Sequence, residues 1–435
     1  MDYAADLHIH SPYSRATSAG STLAGLAAWA RIKGIQVIGS GDFTHPAWFS
    51  RLKEELEPAE AGLFRMKDEG ALPAPLPGVT VAPSAVRFML SAEISCIYKR
   101  HGKVRKVHNL LYVPDFESAE RINRRLAGIG NIISDGRPIL GLDSRDLLEI
   151  LLEFSPDGFL VPAHIWTPWF SLFGSRSGFD TIEECFGDLT SHIFALETGL
   201  SSDPDMNRTI SSLDRFALIS NSDCHSPSKL GREVNLFSTG MDFYSLRDAI
   251  KHNRRDTFRG TVEFFPEEGK YHFDGHRLCA VCLPPHETRR LNGMRCPVCD
   301  KPLTVGVHHR VMDLADRSEP VHKPHAPRVF SLIPLPELLS EILGVGPSSK
   351  EVLRQYAQII ARFGSEFNLL LRTDLDEITR AAPLLAEAIS RVRSGRVIRA
   401  PGYDGQFGVI RVFEDHERPS LGRGKAGRLQ LLHES

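Results

Sequence analysis

The sequence has no long apolar run, and this absence argues against a membrane-spanning helix. No stretch reaches the roughly 18–20 consecutive apolar residues that such a helix needs. The amino terminus, Met1–Asp6, also lacks the basic segment followed by an apolar one that is typical of a secretory signal. We therefore expect a cytoplasmic protein with no membrane partner.

An excess of charge of either sign is missing as well. The 435 residues include 52 Lys and Arg against 54 Asp and Glu, so the formal net charge is −2. Such a balance neither indicates nor excludes nucleic acid, because a local basic face is enough to bind it. Hydrophobic residues at 42% and charged residues at 24% exclude a disordered or collagen-like chain. The length favours two or three domains.

Cysteine is sparse, with seven in the chain, but four of them are clustered. The clustered pairs are Cys279, Cys282, Cys296 and Cys299. In a reducing compartment this spacing predicts one zinc ion rather than two disulfides. Four thiolates leave no open position, so we expect the zinc to be structural. Nearby Arg289, Arg290 and Arg295 could neutralise nucleic-acid phosphates, or could simply form a solvated basic surface.

Short apolar segments alternate with amphipathic ones over the first ~255 residues, which predicts a largely parallel α/β architecture, and a barrel is one form of it. Thr22 can cap a helix that Gly34 ends, and the charged stretch 51–69 is expected to be helical. The predicted strands are Ala5–His10, Ile35–Ser40, 86–97, 104–113, 159–163, 193–198 and 216–220. Further helices are expected at 115–127, 144–153 and 244–252.

The pattern changes after Gly260, which divides the chain into three expected domains. Residues 1–260 form the α/β domain, 261–330 the four-cysteine zinc module, and 331–435 a mainly helical domain. The stretch Ile342–Lys350 is typical of a helix–hairpin–helix turn that binds phosphate through backbone N–H groups, and a plain helix–helix turn is an equal alternative.

Metal-ligand residue types recur at the ends of the predicted strands. One such residue alone is more often incidental than functional, but the recurrence favours a shared site, because strand ends of a barrel converge at one mouth. Imidazoles and carboxylates together suit Zn²⁺, Mn²⁺ or Fe²⁺. The candidates are His8, His10, Asp42, His45, Glu93, His108, His164, Asp223 and His225.

In order and spacing these residues resemble the polymerase-and-histidinol-phosphatase (PHP) superfamily. The resemblance is carried by Asp6–Ser11, Ser40–Asp42, Glu93, His108, His164 and Ser222–His225. It implies a distorted (β/α)7 barrel that holds two or three divalent metal ions (Zn, Mn or Mg). It also implies ligand roles: His8, His10, Glu93 and Asp223 for the first metal, and Glu93, His108 and His164 for the second. His225 would help to hold a third metal, for which Asp42 or His45 could supply a further ligand.

Such a metal cluster predicts hydrolysis of a phosphoester. Adjacent cations lower the pKa of a bound water and neutralise charge on phosphoryl oxygens. Asp223, His225 and Glu93 are the expected catalytic residues, and metals that are structural or lost are the alternative.

The order of barrel, four-cysteine module and helical domain is similar to the endonuclease Q family. Gly41–Pro46, Ala163–Phe170 and His308–Arg317 carry this resemblance. It implies a DNA-repair endonuclease that cuts on the 5′ side of a deaminated base, such as hypoxanthine or uracil, or of an abasic site. The implied partner is double- or single-stranded DNA that contains the damage, with repair-complex proteins as further candidates.

Extracting a damaged base from the stack requires apolar groups near the metal site. Trp166, Trp169 and Phe170 follow the candidate ligand His164 and could line a base pocket, or could only pack the rim of the barrel. Lys229 and Arg232 could hold flanking phosphates. Two other functions stay open: a PHP-type phosphatase for a small phosphomonoester, and a non-catalytic DNA-binding repair adaptor.

Overall fold

The structure, a computed structural model, describes residues 2–70, 72–76, 79 and 84–417. It is a mixed α/β fold with a sheet-rich core and a helical carboxyl-terminal region. The strands are β1 Asp2–Asp6, β2 Val37–Gly39, β3 Leu56–Pro58, β4 Phe64–Met66, β5 Arg87–Arg100, β6 Lys103–Val113, β7 Ile139–Leu140, β8 Phe159–Pro162, β9 Ala195–Glu197, β10 Ala217–Ile219, β11 Val234–Ser238, β12 Phe258–Glu263, β13 Asp274–His276, β14 Val281–Leu283, β15 Arg328–Ser331, β16 Ile398–Ala400 and β17 Val409–Arg411.

The helices are α1 Leu23–Lys33, α2 Pro46–Glu55, α3 Phe116–Ala127, α4 Ser144–Phe154, α5 Ile182–Phe186, α6 Pro204–Asn207, α7 Phe243–His252, α8 Pro285–Thr288, α9 Val307–Leu314, α10 Leu335–Leu343, α11 Lys350–Phe363, α12 Leu375–Ala381 and α13 Pro383–Arg393. Within the described ranges, no helix combines the length and the apolar composition needed to cross a bilayer.

Seven strands follow one another in a closed order that we call the seven-strand ring: β1, β2, β5, β6, β8, β9 and β10. Backbone pairing joins β1 to β2, β2 to β5, β5 to β6, β6 to β8, and β9 to β10. The bridge between Ile9 and Cys224 joins the residues after β1 to those after β10, and the bond from the N–H of Ile165 to Glu197 joins the β8 end to β9. Only β6 runs against its neighbours among the paired strands of the ring. The carboxyl ends of β1, β2, β8 and β10 therefore meet at one mouth.

The first helix shows why the sequence predicts its ends well. The Thr22 side chain accepts from the N–H of Gly25 and caps α1, and Gly34 ends it in the left-handed conformation with φ 84°. The prediction for 51–69 is wrong beyond residue 55, because β3 and β4 follow α2 there and bury Leu56, Phe64 and Met66 against the sheet.

The chain outside the ring extends the same sheet and then turns helical. Strand β11 pairs with β1, β12 with β11, and β15 with β12, so residues 328–331 belong to the main sheet. The hairpin of β13 and β14 carries part of the cysteine cluster. The helices α10 to α13 form the helical region, and residues 418–435 of the expected third domain lie outside the described residues.

Candidate metal centre

The candidate ligands at the mouth sit on unusual backbone. Asp42, His164 and Asp223, which follow β2, β8 and β10, all have positive φ angles of 47°, 28° and 46°. Residues other than glycine rarely adopt this region, and such outliers cluster at functional sites. The side chain of Asp6 holds the last loop, since its two oxygens accept from the N–H groups of Ser222 and Gly231 at 3.0 and 2.8 Å.

One group of four side chains converges from three parts of the ring. Ligand atoms of His8, His10, Glu93 and Asp223 lie within 4.8 Å of one another. His10 Nε2 lies 3.0 Å from Asp223 Oδ1 and 3.3 Å from Glu93 Oε2. His8 Nε2 lies 3.6 Å from both Glu93 Oε2 and Asp223 Oδ1. The Nε2 atoms of both histidines and Asp223 Oδ1 are buried without a hydrogen-bond partner, so this donor set fits a divalent metal.

A second group shares Glu93 with the first. Glu93 Oε1 lies 2.7 Å from His108 Nδ1 and 3.1 Å from His164 Nε2. The two oxygens of one carboxylate thus face two separate sets of imidazoles. Burial lowers the pKa of His108 to about 4, so its imidazole is neutral near pH 7, as a metal ligand must be. Glu93 thus belongs to both candidate ligand groups, and each of them could hold a divalent ion.

Arg137 is a candidate site residue that the sequence did not indicate. Its Nη1 lies 3.0 Å from Glu93 Oε2, and its side chain is 27% exposed at the mouth. Burial alone would raise the pKa of Glu93, but His108, Arg137 and His8 outweigh it and hold that pKa well below its ordinary range. Of these three groups, Arg137 alone carries a permanent positive charge. The sequence around Arg137 contains no pattern that indicates this position beside Glu93.

Two carboxylates stand behind the first group. Glu197 accepts from His8 Nδ1–H at 3.0 and 3.1 Å, and from the N–H of His164 at 2.9 Å. Asp42 accepts from His10 Nδ1–H at 3.0 Å and from the Ser11 N–H at 2.7 Å. Such partners fix the tautomer and orientation of metal-binding imidazoles. The strand-end position of Glu197 was the signal available for it in the sequence.

The structure does not bring every candidate ligand into these groups. Asp42 faces the back of His10, which corrects its expected place as a direct ligand. His45 lies against Tyr13 with ring centroids 4.3 Å apart, and its Nε2 bonds to the carbonyl of Ile133 at 2.8 Å. His225 borders the first group, 4.5 Å from His10 between ring centroids, without joining it. The residues described here thus form two metal-ligand groups at this mouth.

The cysteine cluster has a different fourth member from the one expected. Ligand atoms of His276, Cys279, Cys296 and Cys299 lie within 4.8 Å of one another. The expected ligand Cys282 lies apart from them, because β14 begins directly after the left-handed Ala280 and directs the Cys282 thiol to the carbonyl of Pro401 at 3.9 Å. Three thiolates and one imidazole are a donor set that structural zinc accepts. The spacing of His276, three residues before Cys279, was the missed signal.

The candidate DNA contacts differ in exposure. Trp166 is 1% exposed, donates to Asn207 at 2.8 Å and packs against Phe173, so the expectation that it contacts DNA is corrected: it belongs to the core. Trp169 is 41% exposed, and the ring of Phe170 lies 4.9 Å from that of His108. These two aromatic residues remain candidates at the mouth.

The basic candidates lie on the surface or close to it. Lys229 bonds to Glu337 at 3.3 Å, and Arg232 is half-buried with its Nε unpartnered among the described residues. Arg289 pairs with Asp313 at 2.7 Å, Arg290 is exposed, and Arg295 donates to the carbonyl of Asp300 at 2.5 Å.

Known proteins resemble this chain over different lengths. Residues 334–396 match a family model described as the MJ0043 C-terminal domain. The chain is 33% identical over 253 residues to the uncharacterized protein MJ0043 of Methanocaldococcus jannaschii. That match covers 56% of this chain and 31% of the relative, so the chain spans about a third of that relative's length.

Two solved structures match almost the whole chain. The crystal structure of the lesion-specific endonuclease PfuEndoQ from Pyrococcus furiosus has a TM-score of 0.82 and 31% identity, covering 97% of this chain and 99% of that one. The chain belongs to the endonuclease Q family. A second endonuclease Q structure, in complex with a 27-mer duplex substrate with an abasic lesion at the active site, has a TM-score of 0.81 and 31% identity. It covers 99% of this chain and 100% of that one.

The structural similarity to the endonuclease Q family is not confined to the metal centre. The matched length takes in the sheet-rich core, the cysteine cluster and the helical region together. The chain therefore shares with these two structures its overall architecture as well as the region of the metal centre.

Proposed function

We propose that this chain is a metal-dependent DNA-repair endonuclease that hydrolyses the phosphodiester bond on the 5′ side of a deaminated base or an abasic site. The observation that carries the proposal is the position of Glu93 between two groups of buried imidazoles and carboxylates. It stands in a chain that matches a lesion-specific endonuclease over nearly its whole length. The proposal includes a PHP-like barrel formed by the seven-strand ring, and the three domains 1–260, 261–330 and 331–435.

The centre would hold two or three divalent ions, Zn, Mn or Mg, and His276 with the cysteines would hold one structural zinc. When bound, divalent ions at the mouth lower the pKa of a water and neutralise charge on phosphoryl oxygens. His8, His10 and Asp223 would hold the first ion, His108 and His164 the second, and Glu93 both. His225, at the rim of the first group, is the candidate for a third site and for proton movement.

The residues around these ligands position the substrate and the ligands themselves. Glu197 and Asp42 fix the two imidazoles of the first group. Arg137 gives one N–H to Glu93, and a guanidinium carries five such donors, so the others can hold an oxygen of the scissile phosphate. This arrangement orients the phosphate against the ligand cluster. The proposed hydrolysis needs no separate general base.

Recognition of the lesion needs a place for a base removed from the stack. Trp169 and Phe170 follow His164 at the mouth, and the Phe170 ring faces His108. An aromatic face can replace the stacking that the extracted base loses. We therefore assign the base contact to Trp169 and Phe170 and leave Trp166 to the core.

The test is nicking of a duplex with a single deoxyinosine, uracil or abasic site. We expect cleavage 5′ to the lesion that a chelator abolishes, that divalent metal restores, and that disappears in Asp223→Ala. Asp205→Ala, at an exposed carboxylate outside the centre, is the matched control and retains full activity. Hydrolysis of a small phosphomonoester without nicking would replace the proposal with a phosphatase. DNA binding with neither activity would replace it with an adaptor.

A further inference from the structure

Two cavities lie at the end of the seven-strand ring opposite the metal centre. Strand β11 runs against β1, and β12 runs against β11, so the start of β12 lies beside the start of β1. Asp2 lines the smaller cavity, and His8 lies six positions further along the chain, which is about 20 Å at the rise of a strand. The cavities are therefore remote from the mouth where the scissile phosphate would bind.

Basic side chains line both cavities. The larger has a volume of about 760 Å³ and is lined by Arg208, Arg254, Arg255, Arg259, Lys323 and His325, with only Asp214 and Asp256 as acidic residues. The smaller, of about 110 Å³, is lined by Arg255, Arg259, Arg328 and Arg372, with Asp2 as its acidic residue. Its apolar side is formed by Tyr3, Leu236, Phe237 and Phe330. Since Arg255 and Arg259 line both, the two cavities form one continuous basic tract.

The acidic residues do not neutralise this tract. Asp214 lies 4.0 Å from Arg208, and Asp256 lies 2.7 Å from Arg254. Four other arginines, by contrast, have no carboxylate within 4.0 Å among the residues of the described ranges. They are Arg255, Arg259, Arg328 and Arg372. Guanidinium groups left unpaired beside one another repel, and a polyanion relieves that repulsion.

We propose that these four arginines form a second binding site for the phosphate backbone of nucleic acid, separate from the metal centre. A linear series of phosphates matches a tract that extends through two cavities and needs only guanidinium contacts. The larger cavity offers just Pro324 and Ala326 as apolar lining. Of the aromatic residues at the smaller cavity, Tyr3 and Phe237 are at most 1% exposed, so the tract offers a protein partner or a nucleotide base few accessible anchors.

A short duplex held at the mouth cannot reach this site. DNA much shorter than its persistence length of about 150 bp behaves as a stiff rod and does not turn around the protein. The second site would therefore take another segment, either of a long molecule or of a second one. This inference goes beyond the proposed endonuclease and does not require that the mouth be catalytic.

The experiment loads Asp223→Ala protein with a short lesion duplex and then titrates a labelled, lesion-free duplex, measuring fluorescence anisotropy at several salt concentrations. We expect the second duplex to bind. Adding Arg259→Glu and Arg328→Glu should reduce the magnitude of the slope of log K against log salt by about 2. Each lost phosphate contact contributes ~0.9 to that slope. The matched control carries Arg362→Glu and Arg380→Glu, which reverse the charge of two exposed arginines that line neither cavity.

Two further readouts separate this proposal from the proposed function. In protein with Asp223 intact, Arg259→Glu and Arg328→Glu should leave single-turnover nicking of a short lesion duplex unchanged within twofold. Absence of nicking in every variant would defeat the endonuclease and leave the second site standing. Failure of the loaded protein to bind a second duplex would overturn the second site. So would equal binding by the reversed variant, or competition by poly-glutamate that exceeds competition by DNA.

Discussion

Glu197 determines how His8 presents its Nε2 to the metal centre. The carboxylate accepts from His8 Nδ1–H with both oxygens, at 3.0 and 3.1 Å, and is also held by Asn221 at 2.9 Å. Because this bond fixes the tautomer, the opposite nitrogen carries the lone pair that a metal requires. Glu197 also accepts from the backbone N–H of His164. It therefore positions two of the candidate ligands, although it belongs to neither ligand group.

We predict that Glu197→Gln weakens metal binding at the mouth by 10- to 100-fold, the usual cost of removing a carboxylate behind a metal-binding histidine. The amide keeps the shape of the side chain but loses the charge that favours the Nδ1–H tautomer. Isothermal titration of metal-free protein measures the effect. Glu149→Gln, at an exposed position of α4, is the control. Unchanged metal affinity in Glu197→Gln would show that His8 is oriented by other contacts.

The site residues that could be predicted from the sequence are those whose side chains are common metal ligands. His8 and His10 alternate along an extended segment, and Asp223 and His164 directly follow apolar strands, so pattern alone places them near one mouth. Arg137 carries no such signal, and the strand-end position of Glu197 does not indicate that it pairs with His8. Their roles depend on distances to Glu93 and His8, which are set by strands far apart in the sequence.

At the scale of the element, the β13–β14 hairpin decides which side chain completes the cysteine cluster. We predict that His276→Asn, Cys279→Ser and Cys296→Ser each lose one equivalent of zinc, since each removes a donor from the converging group. Cys282→Ser should retain the zinc, because that thiol faces Pro401. Atomic absorption of purified protein gives the metal content.

The thermal melting temperature provides a second readout of the same hairpin. Zinc binding contributes directly to the folding of such modules, so variants that lose zinc should melt earlier, and Cys282→Ser should melt close to the parent. Loss of zinc in Cys282→Ser with retention in His276→Asn would reverse the assignment and restore the four-cysteine set indicated by the spacing.

Two buried carboxylates lie at the ends of β11 and β12, and one of them bonds to residues that follow strands of the ring. Glu263 Oε2 accepts from the hydroxyls of Thr198 and Ser220 at 3.2 and 3.0 Å, and Glu233 accepts from the N–H of Phe264 at 3.1 Å. Burial raises the pKa of Glu263 from 4.5 to about 7. Burial, followed by the charge of Glu263, raises the pKa of Glu233 well above its ordinary value. The folded protein thus keeps protons that the unfolded chain releases.

We predict that these carboxylates make the fold less stable as the pH rises. Their contribution is fully present below pH 4.5 and is lost as the pH passes through about 7. For Glu263 alone, the unfolding free energy falls by about 3 kcal/mol, since each unit of pKa difference between the folded and unfolded states corresponds to about 1.36 kcal/mol. Urea unfolding at several pH values measures it. Glu263→Gln should flatten the dependence, whereas Glu153→Gln on the surface of α4 should not. A parent curve that rises over this range would contradict the assignment.

Elements with strong local signals were predictable, and those defined by distant partners were not. The α1 boundaries follow from Thr22 and Gly34, whose capping chemistry is local. The segment after α2 has a charged composition typical of a helix, but Leu56 and Phe64 gain more by burial against β5 than helix continuation provides. Tertiary packing overrides local preference at that point.

For the whole molecule, the sequence predicted the order of parts but not how they join. The alternation of strands and helices indicates the ring, and the later periodicity indicates the helical region. One contact between them is the buried ion pair of Lys33, at the end of α1, whose Nζ lies 2.7 Å from Glu366 Oε2. Both side chains are at most 5% exposed, and no pattern in the sequence links residues so far apart.

Glu366 is the centre of this junction. It also accepts from the Tyr356 hydroxyl on α11 at 2.6 Å and from the N–H of Leu335 at the start of α10 at 3.0 Å. One carboxylate therefore ties the ring to two helices. A buried pair adds little over an apolar pair of similar shape, but loss of one partner leaves a buried charge unpaired.

We predict that Lys33→Met costs about 3–5 kcal/mol of unfolding free energy, the range for breaking a buried ion pair. Adding Glu366→Gln should recover most of the loss, because the amide removes the orphaned charge and can still accept from Tyr356. Urea denaturation measures both variants. Lys53→Met, which breaks the exposed pair with Glu120, is the control and should cost about 1 kcal/mol or less. If Lys33→Met cost no more than this control, the buried ion pair would not stabilise the junction between the ring and the helical region.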